Sequence, residues 1–371
     1  MKRHAALLLF LAFLYAPWVL AEQRFPPPDF ESGYSQPTLT FQEVHRPARE
    51  YLDAIFLVSA MGMVAWLLHY RRSRKGIFLI GIASLLYFGF YKEGCVCPIG
   101  AIQNVSLGLV GSEFVVPIAV MIVFLAPLIF ALIWGRVFCG GVCPLGAIQD
   151  LFIFKPIRVP LWLEKPLGLL RYFYLGLAVY FAIAFQRFII CEYDPFVSLF
   201  RMSGPFWRFM LGASFLLLGL VIARPYCRYL CPYGALLSLF SRWSSHEVRI
   251  TPTECINCTL CDATCPFEAI HRPTKPSKVS TGRRWAFVLA GIVVMFLLTL
   301  SGYFALGKTI AGAALGLWFG ILIGGSLIQL VRPKKRETFE TDRGECLSCG
   351  RCYQWCPSER AEWEGEESHA H

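Results

Sequence analysis

Cys255, Cys258, Cys261 and Cys265, followed by Pro266, stand at C-x2-C-x2-C-x3-C-P spacing, and Cys346, Cys349, Cys352, Cys356 and Pro357 repeat it. Nothing else in the chain restricts its fold as strongly, because thiols this close together need a shared partner. In this spacing three thiolates hold three corners of a 4Fe-4S cubane, and the fourth ligates the other cluster of a pair. Zinc sites favour C-x2-C pairs parted by a longer spacer, not three thiols in seven residues followed by C-P. Two 4Fe-4S clusters with crossed ligation are therefore expected. Cys255, Cys258, Cys261 and Cys356 would hold one, and Cys346, Cys349, Cys352 and Cys265 the other.

The runs do not belong to a small soluble protein. The 371 residues are 56% hydrophobic and 16% charged, against about 25% charged in an average soluble chain. Seven apolar runs stand out, at about 52–70, 77–91, 115–135, 168–190, 209–223, 285–306 and 309–331, and several are long enough to cross a bilayer. The net charge of +10 sits in short basic clusters beside these runs, as membrane orientation requires, so nucleic acid is not expected as a partner. Arg71, Arg72, Arg74 and Lys75 follow the first run, Arg136 and Arg171 flank the third and fourth, Arg224, Arg228, Arg283 and Arg284 lie between the fifth and sixth, and Arg332 and Lys334 follow the seventh. That basic side reads as cytoplasmic, and both cysteine runs fall on it, where thiols stay reduced.

Before the first run, Lys2 and Arg3, an apolar stretch from Ala5 to Ala16 and the small Ala21 read as a signal peptide or anchor. Residues 22–50 are Pro-rich and read as a periplasmic segment. The expected order is residues 1–21 signal peptide or anchor, 22–50 periplasmic segment, 51–250 membrane domain, 251–284 first ferredoxin half, 285–331 transmembrane hairpin, and 332–371 second half and tail. The fold class is an all-α polytopic membrane protein of about seven transmembrane helices. A small ferredoxin-like 4Fe-4S module is assembled from its two cytoplasmic segments.

A shorter pattern recurs inside the membrane domain. Cys139 and Cys143-Pro144, and Cys227 and Cys231-Pro232, form two C-x3-C-P motifs, each directly after an apolar run. Cysteines four apart at a helix end share a face, so the motifs would supply four thiols at one membrane surface. They read as a third metal centre or as redox-active dithiols, with plain packing less favoured because the motif recurs. A third copy departs from the pattern: Cys95 and Cys97-Pro98 stand at C-x-C spacing, with Glu93 in place of the earlier cysteine. Cys95, Cys97 and Cys191 read as lying on the outer side, as a structural disulfide or as an outer redox or metal site.

Other electron carriers have no ligands here. None of the seven histidines lies in the middle of an apolar run, which excludes a bis-histidine haem between helices, and there is no Gly-rich dinucleotide fingerprint. Intramembrane carboxylates are nearly absent, which speaks against a proton relay.

The apolar architecture, the two C-x3-C-P motifs and the paired cysteine runs together resemble the membrane polyferredoxins. These include the NosR/NirI-type accessory proteins of nitrous oxide and nitrite reduction, the NapH-type ferredoxins of nitrate reduction and the copper-reducing CcoG group. The resemblance covers most of residues 50–357. It implies electron transfer from a cytoplasmic or quinol donor to a periplasmic reductase or FMN-binding subunit, at a bacterial inner membrane and with no substrate turnover required on this chain. A copper or iron reductase that assembles an oxidase, or a redox-sensing regulator, are the other functions the group offers. NosR-type proteins carry an outer FMN-binding domain where this chain has residues 22–50, and CcoG-type proteins an immunoglobulin-like domain beyond the last cysteine run. A separate flavin subunit is the expected replacement.

Overall fold

In the computed structural model, residues 47–94, 98–110, 116–154, 156–246, 248, 250, 255, 258–274, 280–329 and 339–356 are described. The signal segment, most of the Pro-rich stretch, Cys95 and Cys97 lie outside them. All seven apolar runs form helices. Among the described residues, five helices are long and apolar enough to cross a membrane: Glu50–His69, Arg74–Tyr91, Trp162–Phe185, Gly282–Ala305 and Ile310–Gln329. The runs at 115–135 and 209–223 give shorter helices, Ile118–Trp134 and Phe206–Gly219. At 14 residues the latter is about 21 Å long, less than the hydrocarbon thickness.

The membrane core is built twice over. Helix α1 (Pro47–His69) leads into α2 (Arg74–Ser84), which continues as a π-helix over Leu85–Tyr91. Then come α3 (Pro98–Val110), α4 (Ile118–Trp134), the one-turn α5 (Val137–Gly141) and α6 (Pro144–Leu151). The order of a long helix, a helix opened by proline, a mid-length helix, a one-turn helix and another proline-opened helix then recurs. Its second copy is α7 (Leu161–Phe185), α8 (Ile189–Tyr193) with α9 (Pro195–Arg201), α10 (Phe206–Gly219), α11 (Pro225–Tyr229) and α12 (Pro232–Ser241). Proline suits the first helical position, where its missing N–H has no intrahelical partner, and it drives the residue before it into an extended conformation. Cys143, Asp194 and Cys231 accordingly stand at ψ 118°, 117° and 112° before Pro144, Pro195 and Pro232. Asp194-Pro195 thus occupies the place of a Cys-Pro, a copy that the cysteine pattern alone does not reveal. Helix α3 lies outside the seven apolar runs because Gln103 and Asn104 interrupt its hydropathy, yet Ile99, Ala101, Ile102, Gln103 and Val105 are all buried.

After the core come α13 (Leu260–Thr264), β1 (Ile270–His271), the helical hairpin α14 (Thr281–Ala305) and α15 (Ile310–Gln329), β2 (Glu340–Thr341) and a 3-10 turn at Tyr353–Trp355. The hairpin closes along a stripe of glycines four apart, Gly312, Gly316, Gly320 and Gly324, all buried. A Cβ on Gly316 would stand 2.2 Å from the Leu298 carbonyl oxygen, so only glycine admits this approach. Trp318 holds the hairpin to the core by donating from Nε1 to the Tyr172 carbonyl at 2.9 Å.

The two cysteine segments, parted in sequence by that hairpin, meet again. β1 and β2 pair antiparallel, Ile270 with Thr341 and His271 with Glu340. The Asp342 N–H donates to the Ala269 carbonyl at 2.7 Å. The Asp342 carboxylate accepts from Gly344 N at 2.9 Å and faces His271 Nε2 at 3.1 Å. Burial pushes this carboxyl up, but the His271 ring and the Gly344 and Glu345 N–H groups outweigh it and hold Asp342 well below the usual carboxylate range. Its contribution is therefore complete above the unfolded value of about 4 and is lost as pH falls through the lower folded value. We expect Asp342→Asn to raise amide exchange at Asp342 and Cys346 at neutral pH, and acid below about pH 4 to do the same to the unaltered chain. Equal exchange in both chains at neutral pH would show the carboxylate to be dispensable.

Candidate metal centre

The second cysteine of each C-x3-C-P motif does not share a helix with the first. Cys139 lies in α5, whereas Cys143 is the residue before α6, because Pro144 forces it out of helical conformation. The expectation of one shared helix face is corrected accordingly. The motif is a corner that turns one thiol at each of its arms toward a common point. Cys231 lies within electrostatic reach of Cys227, Cys143 and Cys139, so the four thiols come together across the two copies. Cys227 and Cys231 are buried. The group is sunk into the bundle beside the middle of α4: Tyr233, two residues past Cys231, donates to the Phe124 carbonyl at 2.7 Å.

Each copy reaches into the other. Arg136 precedes the first motif, and its guanidinium lies under Gly234 of the second, where a Cβ would stand 3.4 Å from Nη2. Arg224 precedes the second motif and lies under Gly146 of the first, with a Cβ 3.0 Å from Nη1. The glycine of C-P-x-G is thus the seat for the opposite copy's arginine. Gln149 of the first copy donates from Nε2 to Cys227 Sγ of the second at 3.2 Å, and Cys231 Sγ accepts from Gly234 N at 3.3 Å. Gln149 Oε1 is a buried oxygen with no partner among the described residues.

The eight cysteines of the longer runs fall into two groups. Cys261 lies within electrostatic reach of Cys255, Cys258 and Cys356, and Cys352 of Cys346, Cys349 and Cys265. Each group draws three thiols from one run and one from the other. Burial pushes Cys261 up to about 11 and Cys346 up to about 12. As thiols they stay protonated at neutral pH, and metal binding displaces their protons. None of the thirteen described cysteines is in a disulfide, and among the described residues no three Cys, His, Asp or Glu side chains are grouped as one metal ion would need. Four thiols in each group, three from one run and one from the other, are the donor set that a cubane would take.

The cysteine segments sit on the membrane core through one of these groups. The Leu347 and Ser348 carbonyl oxygens pack on Gly140, where a Cβ would stand 2.5 and 2.6 Å from them. Arg136 donates to the Gly344 carbonyl at 3.0 Å, Arg74 to that of Cys349 at 3.1 Å, and Arg171 pairs with Glu345 at 2.5 Å. In the second copy the residue matching Gly140 is Arg228, which donates to the Pro266 carbonyl at 3.4 Å and pairs with Glu164 at 2.8 Å. Both contacts belong to the group of Cys265, Cys346, Cys349 and Cys352. That group faces the buried thiols, and the group of Cys255, Cys258, Cys261 and Cys356 is the outer one.

Cys191 Sγ lies 3.4 Å from where a Cβ on Gly100 would be, so it occupies at α3 the place that the arginines take at α6 and α12. Asp194 is buried, caps α9 through Phe196 N at 2.8 Å and lies 3.5 Å from the Tyr226 hydroxyl.

A family model described as a 4Fe-4S binding domain matches residues 116–168 and again residues 203–251. The two matches fall on the two copies from α4 to α6 and from α10 to α12, and they contain Cys139, Cys143, Cys227 and Cys231. The protein MJ0750 of Methanocaldococcus jannaschii is 31% identical over 49% of this chain and 78% of its own length. Protein NirI of Paracoccus denitrificans is 32% identical over 59% of this chain, and regulatory protein NosR of Pseudomonas aeruginosa 30% over 51%. The chain belongs to the NosR/NirI-type family of 4Fe-4S membrane proteins. It spans 34% of NirI and 28% of that NosR, so it shares a part of those longer proteins. No solved structure matches it. Iron–sulfur binding rests on the matched 4Fe-4S model, and a place in the membrane on the five long apolar helices among the described residues. The arginines and Gln149 around the thiols were not singled out as site residues from sequence, although Arg136 and Arg224 recur at one position before each motif.

Proposed function

We propose that this chain is a membrane-bound iron–sulfur electron-transfer protein. It would link a cytoplasmic or quinol donor to a periplasmic reductase or FMN-binding subunit in anaerobic respiration of the nitrous oxide or nitrate type. The contact of the Leu347–Ser348 backbone with Gly140 carries this reading, because it sets a cysteine loop beside Cys139 of the first C-x3-C-P motif. The site residues are Cys255, Cys258, Cys261 and Cys356 for one cluster and Cys265, Cys346, Cys349 and Cys352 for the other. Bound clusters would supply one-electron storage. The protein's own part is to bury the thiols, to neutralise them with arginines and to keep water out between the two sites.

Cys139, Cys143, Cys227 and Cys231 are proposed as a third centre, since the residues matched by the 4Fe-4S family model contain them. The proposed orientation places the cysteine segments in the cytoplasm of a bacterium and the start of α1 in the periplasm, with residues 51–250 as the membrane domain. Cys191, with Cys95 and Cys97, then lies toward the periplasmic acceptor. Iron and acid-labile sulfide per purified chain, with EPR of the reduced protein, test the assignment. About twelve irons support three centres, about eight leave the buried thiols as dithiols, and none removes the reading altogether. Reduction by a quinol analogue would identify the donor, whereas stoichiometric copper at the C-x3-C-P thiols would favour metal reduction for oxidase assembly.

A further inference from the structure

Asp150, the residue after Gln149, gathers three guanidinium groups on one carboxylate. Its Oδ2 stands 2.5 Å from Arg74 Nη2, and its Oδ1 stands 3.2 Å from Arg224 Nε and 3.1 Å from Arg351 Nη2. The carboxylate is 4% exposed, Arg224 2% and Arg74 9%. Each arginine also serves one of the two thiol sites. Arg224 Nη1 donates to the Cys139 carbonyl at 2.5 Å, and Arg74 Nη1 to the Cys349 carbonyl at 3.1 Å. Arg351 lies in the chain between Cys349 and Cys352. Arg224 is within electrostatic reach of both Cys227 and Cys349, and so stands between the sites.

The fold does not require an acid at this place. The matching residue of the second copy is Ser238, which is fully buried and bonds the Tyr172 hydroxyl at 2.9 Å. In the copy at Cys97 it is Asn104. The carboxylate occurs only in the copy on which the Cys346–Cys352 loop is seated. It fixes that loop to Cys139 from both sides, through Arg224 below and through Arg74 and Arg351 above. Three cations against one anion leave the node positive, in a setting where charges are weakly screened.

We propose that Asp150 is a positioning residue that seats the Cys265/Cys346/Cys349/Cys352 site on the Cys139 motif and, with its arginines, sets the charge that this site feels. The proposal rests on the iron–sulfur reading of that site. Cluster potentials follow the net charge around them, with added positive charge favouring the reduced form.

Redox titration of the full-length purified protein, followed by EPR, tests it with two variants of opposite charge effect. Asp150→Asn removes the anion and is expected to raise the midpoint potential of the seated cluster. Arg351→Gln removes a cation at a quarter-exposed residue and is expected to lower it. The outer cluster should move less in both. A purely structural role predicts shifts of one sign or none, and either result overturns the proposal. If Asp150→Asn fails to accumulate, Arg351→Gln decides alone: a lowered potential upholds the proposal and an unchanged one overturns it. The seat is read separately by alkylation of Cys139, which should be at least about tenfold faster in Arg351→Gln, because breaking a buried charged contact shifts the local opening equilibrium. If the unaltered protein holds no iron, the iron–sulfur reading fails. Alkylation then still judges the seat, and equal rates would overturn it.

Discussion

A chain carrying both Cys255→Ala and Cys265→Ala is expected to hold neither ferredoxin-type cluster, although every cysteine of the C-terminal run is intact. With crossed ligation, Cys255 serves one group and Cys265 the other, as the grouping of Cys261 with Cys356 and of Cys352 with Cys265 indicates. Each cubane then lacks one of its four thiolates. If each run instead served its own cluster, the double variant would lose one cluster and keep the other intact on Cys346, Cys349, Cys352 and Cys356. The measurement is iron and acid-labile sulfide per chain against the unaltered protein: a loss of about eight irons supports crossing, and a loss of about four excludes it. The single Cys265→Ala variant should lose the cluster seated on the membrane core and keep the EPR signal of the outer one.

Gly140→Ala should unseat the C-terminal segment while leaving the helices in place. The added methyl would stand 2.5 Å from the Leu347 carbonyl oxygen and 2.6 Å from that of Ser348, and both are backbone atoms that cannot turn aside. Overpacking of this kind costs about 1–3 kcal/mol, and here the loop can escape by lifting off. Raised protease cleavage between Thr341 and Cys352, and slowed reoxidation of the seated cluster by an outer acceptor, are the expected results. Gly168→Ala in α7 is the control, since a Cβ there meets nothing within 4 Å. If Gly140→Ala behaves like Gly168→Ala, the contact at Gly140 has no part in electron transfer.

The apolar runs and the cysteine spacing were legible because both are local signals: a bilayer demands length, and a cubane demands thiols at fixed offsets. What escaped depends on pairs of residues far apart in the chain. Arg74, Arg136, Arg171 and Arg228 read from sequence as orientation charges, and the structure uses them as buried donors to the Cys349, Gly344, Glu345 and Pro266 positions. A count of basic residues beside a helix cannot tell the two roles apart, because both need a cation at the same end. The four-apart spacing of Cys139 and Cys143 suggested one helix face. The proline after the second cysteine was the better guide, since it dictates the corner. Asp194-Pro195 is invisible to a cysteine pattern, because the repeated element is an extended residue before a proline-opened helix. The glycine of C-P-x-G was visible in three copies, but its reason, a partner's arginine or Cys191 lying against it, exists only in three dimensions.

The hairpin of α14 and α15 interrupts the cysteine module, and this sets an order of events during synthesis. Cys255, Cys258, Cys261 and Cys265 leave the ribosome before the hairpin, and their partners Cys346, Cys349, Cys352 and Cys356 only after it. With the crossed ligation and orientation proposed above, neither group of four would close until two further helices had entered the bilayer and returned the chain to its starting side. Iron loading would then report on membrane insertion: a chain whose hairpin is misplaced would present only half-sites. The glycine stripe that zips the hairpin, far from any thiol, thus becomes a condition for the protein to acquire its colour.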